Sequence, residues 1–204
     1  MLDRLSAWVL VQLDGLRSLS CLPLVWIYGV TDQRPVIDAD VARWADLLWL
    51  EDRSRLLARL IYSFPEFRDV YYYRLARGNP TGALLGRLAR LAWKGVAGTD
   101  VAGTPEIGPG LFISHGQATI LSAERIGANL QVHQGVTVGW DYRGDRRPII
   151  GDDVFIGAGA KVLGAVTVGD RARIGANAVV VSDVPAGATA VGIPARVRPA
   201  SDAC

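Results

Sequence analysis

An aliphatic residue returns every six positions through the second half of this chain. The repeat runs from Ile107 to Ala186, and glycine often follows the aliphatic residue, as in Ile156-Gly157 and Ile174-Gly175. The repeating positions are Ile107, Ile113, Ile126, Val132, Val138, Ile150, Ile156, Val162, Val168, Ile174 and Val180. Neither the 3.6-residue period of an α-helix nor the two-residue period of a strand gives this spacing. It is typical of a parallel β-helix, whose stacked coils bury one aliphatic side chain on each short side.

Composition and charge exclude several other classes of protein. Half of the 204 residues are hydrophobic, and the net charge of +2 predicts no nucleic-acid partner. Cys21 and Cys204 lie at opposite ends, without a disulfide or metal-binding spacing, so a cytoplasmic location is expected. The uncharged run from Ser18 to Thr31 is too short to cross a bilayer. We expect it to be buried in a helical domain, and contact of residues 1–30 with a membrane surface is the alternative.

Residues 1–94 have helical periodicity, whereas the repeats follow over residues 95–204. The predicted helices are Asp40–Ser63, Phe67–Ala76 and Ala83–Trp93. Asp38 or Asp40 is the expected N-cap of the first helix. The second helix carries three consecutive tyrosines, Tyr71 to Tyr73, which are expected to pack against the first coil. The predicted fold class is therefore α+β, with an N-terminal α-helical domain followed by a parallel β-helix.

Two irregularities interrupt the six-residue period. Ile113 and Ile120 are seven residues apart, around the sequence Ser114-His115-Gly116-Gln117. The charged segment Gly139–Pro148 lacks its aliphatic residue and is predicted to protrude as a loop. A regular scaffold usually departs from its own pattern at functional sites. Histidine titrates near neutrality, so His115 is the natural candidate for a general base, whereas His133 has no irregularity around it and is expected to face solvent without a catalytic role.

Five motifs occur in a specific order in the repeat region. They are Ile107-Gly-Pro-Gly-Leu-Phe-Ile-Ser-His115-Gly, Gln134-Gly-Val-Thr-Val-Gly139, Gly144-Asp-Arg-Arg-Pro148, Ile156-Gly-Ala-Gly-Ala-Lys-Val-Leu-Gly164 and Val191-Gly-Ile-Pro-Ala-Arg196. Together they resemble the serine O-acetyltransferase family, which belongs to the hexapeptide-repeat, acetyl-CoA-dependent acyltransferases with a left-handed β-helix. The resemblance covers residues 95–198, and the N-terminal region resembles the family only loosely.

The resemblance implies an enzyme that transfers an acetyl group directly from acetyl-CoA to a small hydroxyl acceptor. His115 corresponds to the family's general base, and Asp100 corresponds to the carboxylate that orients its ring. Coenzyme A is expected in a groove between the subunits of a homotrimer, and no metal ion is implied. The implied coenzyme A contacts are Gly139, Ala158, Lys161, Ala176 and Arg196. Further pairing of trimers through residues 1–94 is left open.

Three departures from the family concern the acceptor. Ser114 stands where the family has aspartate, and Arg146-Arg147 stands where it has Arg-His, at positions that help to hold serine. Without the aspartate an acceptor with an ammonium group is disfavoured, while two arginines suit a carboxylate or phosphate. Trp140 lies in a loop that replaces the family's Gly-Gly and suits a sugar or a larger apolar acceptor. We therefore favour an acceptor other than free serine, contacted by these four residues.

Three alternatives accompany this hypothesis. The nearest is a serine O-acetyltransferase proper, with altered contacts to serine. A non-catalytic β-helix scaffold would need neither His115 nor Asp100. A metal-dependent β-helix enzyme needs three histidines around one site, and this sequence has two. No stable complex with cysteine synthase is expected, because the chain ends in Asp202-Ala203-Cys204 where the family's partner binds a C-terminal isoleucine.

Overall fold

The computed structural model describes residues 19–50, 55–101, 103–141, 144 and 146–199. A 3₁₀ turn at Leu19–Cys21 precedes the helices α1 (Leu22–Val30), α2 (Arg34–Leu47), α3 (Leu56–Ser63), α4 (Pro65–Arg77) and α5 (Pro80–Ala92). Among the described residues, no helix is long and apolar enough to cross a bilayer. The predictions for residues 1–18, for residues 142, 143 and 145 of the predicted loop and for the C-terminal tail fall outside the described residues. The division of the chain at residue 94 stays a prediction.

The prediction of one helix over Asp40–Ser63 is wrong. Two helices, α2 and α3, cover this region, and Trp49 and Arg55 between them have left-handed backbone angles, with φ of 50° and 55°. Helix α2 begins at Arg34 with a proline in its first turn, where the fixed φ of proline suits a helix start. Asp40 therefore lies inside the helix, and neither predicted aspartate is the N-cap.

Helix α5 packs through small residues and turns its leucines outward. Gly82, Gly86 and Ala89 are buried. A Cβ atom at Gly86 would approach the side chain of Leu75 in α4 to 2.9 Å, so only glycine permits this close contact. The opposite face carries exposed leucines. Helix α1 is likewise buried on one face only. The segment Ser18–Thr31 was expected to be buried, and within α1 this is confirmed for one face and not for the other.

From Asp100 onward the chain winds into three sheets of very short strands. The strands are β1 (Phe112–Ser114), β2 (Ile120–Leu121), β3 (Arg125–Ile126), β4 (Gln131–His133), β5 (Thr137–Gly139), β6 (Ile149–Ile150), β7 (Phe155–Ile156), β8 (Lys161–Leu163), β9 (Thr167–Val168), β10 (Arg173–Ile174), β11 (Val179–Val180), β12 (Thr189–Val191) and β13 (Arg196–Arg198). The first sheet has the order β1-β4-β7-β10-β12-β13, the second β11-β8-β5-β2 and the third β3-β6-β9. All pairs are parallel except β12 with β13. Consecutive strands lie in different sheets, which confirms the parallel β-helix.

The repeating aliphatic residues fill the interior of the coils. Each predicted position is at most 6% exposed, and Val132, Ile156 and Ile174 pair directly across successive coils. One assignment was wrong. Ile120 is 42% exposed, whereas its neighbour Leu121 is 0% exposed. Leu121 is the inward residue because β2 pairs it with Val138, so the irregularity after Ile113 is one residue longer than predicted.

A buried ion pair docks the helices on the first coils, and we call it the docking pair. Arg74 of α4 and Asp40 of α2 are 2.8 Å apart, with side chains that are 3% and 1% exposed. Asp40 accepts hydrogen bonds from the backbone N–H groups of Gly110 and Leu111, and Arg74 donates to the carbonyl oxygens of Ile107 and Gly108. The pair therefore satisfies four backbone groups that would otherwise be buried without partners.

The three tyrosines of α4 are all buried, and the hydroxyl of one of them donates a hydrogen bond to the first coil. The hydroxyl of Tyr73 donates to the carbonyl oxygen of Thr104 at 3.3 Å. Those of Tyr71 and Tyr72 donate to carbonyl oxygens of Leu24 and Trp93, at 2.7 Å in both cases. The tyrosine run thus joins α4 to three different segments. This explains why residues of this type recur consecutively on one helix.

Candidate active site

The two predicted catalytic residues lie on neighbouring segments at the start of the β-helix. Strand β1 ends at Ser114, and His115 follows it in a left-handed turn with φ of 55° and an exposed side chain. Thr99 donates through its Oγ1 to the carbonyl oxygen of Gly116 at 2.6 Å. Asp100 then donates its backbone N–H to the carbonyl oxygen of Thr119 at 2.8 Å. The segment Thr99–Asp100 is thus held against the turn that carries His115.

A cavity of about 830 Å³ opens on the outer face of the second sheet, next to this turn. Its lining includes four residues predicted from the sequence, which are Asp100, Gly139, Trp140 and Lys161. Sequence reasoning missed Gly103, Ile120, Ser122, Thr137, Val138, Asp141, Leu163 and Val181. Ile120, Ser122 and Thr137 stand next to the inward residues Leu121 and Val138. Because successive side chains of a strand point to opposite faces, their positions in the sequence would have identified them as outward-facing. His115 lies at the corner beside the cavity and not in its lining.

The corner between the first and second sheets links His115 to the predicted coenzyme A positions. Gly135 donates its N–H to the carbonyl oxygen of Gln117, one coil earlier, at 2.9 Å. In the same way Gly159 donates to Gln134 at 2.9 Å, and Asn177 donates to Ala158 at 2.8 Å. Coils are spaced about 4.8 Å apart, so the corner runs roughly 14 Å from the turn of His115 to that of Ala176. The structure therefore places these three residues along one line.

The cationic residues predicted for coenzyme A lie apart from one another. Lys161 is half-buried on β8, and its Nζ donates to the carbonyl oxygen of Gly135 at the same corner. Arg196 is exposed on β13, opposite Val191, at the C-terminal end of the first sheet. Lys161 is thus close to the cavity and to the line of small residues, whereas Arg196 lies outside the cavity lining.

Arg147 is outside the cavity lining but contacts three residues of that lining, Gly103, Ser122 and Trp140. Its Nη1 donates to the carbonyl oxygen of Gly103 at 2.6 Å and contacts Oγ of Ser122 at 3.4 Å. Its guanidinium lies 5.5 Å from the centre of the Trp140 ring, within the range of a cation–π contact. A guanidinium has five N–H donors, so these contacts orient it and leave donors for a ligand. Arg146 is exposed and, like Arg147, is outside the cavity lining.

His133 is half-buried, whereas it was expected to face solvent. Strand pairing sets it directly opposite Ser114, one coil from His115. Its ring contacts Phe155 edge-on at 5.3 Å, and within the described part of the chain its buried Nε2 has no hydrogen-bond partner. Burial lowers the pKa of His133, and the charge of His115 lowers it further. His133 is therefore neutral at pH 7.

Comparison with known proteins adds independent evidence. The family model described as bacterial transferase hexapeptide (six repeats) matches residues 147–182. The serine acetyltransferase of Helicobacter pylori strain J99 is 40% identical over 158 residues, which are 76% of this chain and 85% of that protein. A crystal structure of serine acetyltransferase from Brucella abortus strain S19 is 25% identical, with a TM-score of 0.65, and the match covers 87% of this chain and 73% of that one. Soybean serine acetyltransferase complexed with serine is 28% identical, with a TM-score of 0.62, over 81% and 69% of the two chains.

These similarities agree with the motifs that the sequence analysis identified. The predicted fold class, helices followed by a left-handed parallel β-helix of hexapeptide repeats, is confirmed. The resemblance stated from the motifs is confirmed as well. The matched relatives extend over both the helices and the coils, so the similarity is not limited to the repeats.

Proposed function

Since the chain belongs to the serine acetyltransferase family of hexapeptide-repeat acyltransferases, and is therefore an acyltransferase, we propose that it acetylates the hydroxyl of free L-serine. The observation that carries this proposal is the 40% identity to a serine acetyltransferase over 85% of that protein's length. The position of His115 beside the segment of Asp100 supports it further.

In the proposed mechanism, His115 is the general base. It takes the proton from the acceptor hydroxyl, and the resulting oxygen attacks the carbonyl carbon of the acetyl thioester. A new ester C–O bond forms as the C–S bond breaks, and His115 returns its proton to the departing thiolate. Asp100 stabilises the imidazolium and fixes its tautomer, as the carboxylate of a triad does.

The line of small residues along the corner fits a long, narrow acyl donor such as acetyl-CoA. Ala158 and Ala176 leave room beside the coils, and Gly135 and Gly159 adopt positive φ angles of 70° and 72° in turns of the same corner. Lys161 supplies a cation near this line, and Gly139 lines the adjoining cavity. We assign Arg196, at the far end, to the distal phosphates of the donor. The proposed donor contacts are thus Gly139, Ala158, Lys161, Ala176 and Arg196.

The site residues and the relatives of this chain favour different acceptors. Ser114 and the arginine pair led the sequence analysis to favour an acceptor other than free serine. The relatives' names support the alternative, serine O-acetyltransferase proper, better than that hypothesis. The position of Arg147 is compatible with serine, because its remaining donors beside the cavity can hold a carboxylate. We therefore propose serine, with Arg147, Trp140, Ser114 and Arg146 as the candidate acceptor contacts.

Thiol release from acetyl-CoA with L-serine as the acceptor tests this proposal. Serine-dependent release is expected, and mass spectrometry should identify O-acetylserine as the product. Binding of acetyl-CoA without serine-dependent release would contradict the serine assignment and would restore the hypothesis of a sugar or a carboxylated alcohol. Failure to bind acetyl-CoA as well would favour the scaffold alternative.

Substitution of Arg147 by alanine is expected to raise the KM for the acceptor by about 10- to 100-fold, since a hydrogen bond to a charged group contributes about 1.5–3 kcal/mol. The KM for acetyl-CoA should change little, because Arg147 lies beside the cavity and away from the corner of Ala158 and Ala176. Arg125→Ala is the matched control, because Arg125 is exposed on β3 of the third sheet and is not a proposed acceptor contact. An equal rise in both KM values would place Arg147 on the donor side.

We also propose the family's homotrimer as the assembly, with the active-site groove between neighbouring subunits. The cavity supports this assignment because Ile120, Trp140 and Val181 are 42%, 45% and 55% exposed around it in a single chain. A neighbouring subunit would cover such apolar side chains. The cytoplasmic location and the absence of a cysteine synthase complex stay predictions.

A further inference from the structure

Helices α1 and α5 expose large apolar side chains on one side of the molecule. Leu22 and Trp26 of α1 are 54% and 62% exposed, and Leu84, Leu88 and Leu91 of α5 are 58%, 56% and 76% exposed. Their spacings of three and four residues keep them on one face of each helix. We call this surface the α1–α5 face. Scattered exposed leucines are ordinary, but a contiguous apolar surface marks an interaction site.

The two helices run antiparallel, which brings the five side chains together. Asn79, the N-cap of α5, donates from Nδ2 to the carbonyl oxygen of Val30 at the end of α1, at 2.9 Å. At the other end, Cys21 and Ala92 border a common cavity of about 520 Å³. Leu22 therefore lies at the same end of the face as Leu91, and Trp26 lies beside the middle of α5.

The charged residues within α1 and α5 have one sign. Helix α1 contains no charged residue, and α5 contains Arg87 and Arg90 and no acid. Lys94 follows α5 and is exposed. Arg90 lies 3.7 Å from Asp69, whose carboxylate is 2% exposed, and Asp32 accepts the N–H of Asn79 at the opposite end of α5. Asp32 is exposed, but it lies at the end of the face away from Leu88 and Leu91, so the exposed charges beside these two leucines are cationic.

We propose that the α1–α5 face attaches the protein to the surface of an anionic lipid bilayer. Interfacial helices combine leucine and tryptophan on the buried side with arginine and lysine along the border, which matches this face. Tryptophan prefers the headgroup region, and each cation adds attraction to anionic lipids. A stable contact between two copies of a chain buries roughly 800 Å² per partner over about 20–30 residues. Five apolar side chains with a cationic border fit shallow insertion better than such an interface.

Co-sedimentation of the full chain with vesicles tests this proposal. Binding is expected to vesicles of equal parts phosphatidylcholine and phosphatidylglycerol, with at least tenfold weaker binding to phosphatidylcholine alone. High salt should weaken the binding, because it screens the cations. Leu84→Ser/Leu88→Ser should abolish binding, and Arg87→Glu should reduce it roughly tenfold or more. These residues are exposed, so circular dichroism should show an unchanged fold.

Two tryptophans provide a matched control. Trp26→Ser should weaken vesicle binding strongly, whereas Trp49→Ser should not, because Trp49 is 89% exposed in the connection after α2, away from this face. Equal effects of the two substitutions, or no binding of the unmodified chain to anionic vesicles, would overturn the proposal. The proposal would also be overturned if Leu84→Ser/Leu88→Ser formed a smaller assembly than the unmodified chain in sedimentation equilibrium without lipid. The α1–α5 face would then be a contact between copies of the chain. None of these measurements depends on acetyl transfer.

Discussion

Replacement of His115 by alanine is expected to lower the rate of acetyl transfer by about 10²- to 10⁴-fold, the usual contribution of a general base. Acetyl-CoA binding should stay nearly unchanged. The proposed donor contacts lie further along the corner and inside the cavity, at positions such as Ala158 and Lys161, and His115 is outside the cavity lining. Single-turnover kinetics and calorimetric titration with acetyl-CoA measure the two quantities separately.

The backbone at this position calls for a second variant. His115 adopts a positive φ of 55°, a conformation in which asparagine is far more frequent than alanine. His115→Asn therefore removes the base with less strain in the turn, and its loss of activity should match that of His115→Ala. His133→Asn is the matched control on the next coil. Retention of activity in His115→Asn together with a large loss in His133→Asn would assign the base to His133.

The coils were predictable because their pattern repeats. Most of the eleven inward aliphatic residues are followed by another six positions later, so the pattern is hard to misread. The error at Ile120 arose where two aliphatic residues stand side by side. Only the pairing of Leu121 with Val138 decides which of them faces inward, and pairing is a property of the folded coil.

The helices were less predictable because their boundaries depend on contacts distant in sequence. The apolar spacing of α2 continues into α3, and nothing in that spacing marks the break before Arg55. Aspartate is a residue type that is typical of N-caps. Asp40 instead forms a buried ion pair with Arg74, which is 34 residues later. A buried carboxylate can be recognised from the sequence only if its partner is known.

Some residues of the candidate site were predictable from the sequence, whereas the contacts of others depend on the folded structure. Gly139 and Lys161 belong to motifs of the coils, and Asp100 follows from the family resemblance; the structure places all three in the cavity lining. Arg147 comes from the irregular loop, and the contacts that orient it with Trp140 and Gly103 follow from how the loop packs. The acceptor depends on a few such side chains, which explains why motif order predicted the reaction class more securely than the acceptor.

Loss of Arg74 is expected to destabilise the protein by about 3–5 kcal/mol, since it leaves the buried carboxylate of Asp40 without its partner. Arg74→Met keeps most of the side-chain volume and removes the charge. Urea unfolding of the two proteins at pH 7.5 measures the difference. Arg77→Met on the same helix is the control, because Arg77 donates to carbonyl oxygens of Thr104 and Pro105 from a more exposed position, so its loss should cost much less.

The destabilisation in Arg74→Met should depend on pH. Burial raises the pKa of Asp40, and Arg74 opposes this rise, so the substitution moves the folded-state pKa further above that of the unfolded chain. A group with a raised folded-state pKa contributes stability below its unfolded pKa and loses it as the pH rises. The deficit of Arg74→Met should therefore shrink from pH 7.5 toward pH 4.5. An equal deficit at both values would show that Asp40 is not the source.

The double variant Asp40→Leu/Arg74→Met separates the ion pair from the backbone groups that it satisfies. Removal of both charges should recover much of the loss in Arg74→Met and abolish its pH dependence, because no buried charge is left. Recovery should be incomplete, since the N–H groups of Gly110 and Leu111 and two carbonyl oxygens of the first coil lose their partners. Full recovery would mean that water replaces those hydrogen bonds, and that the docking pair contributes little to holding the helices on the coils.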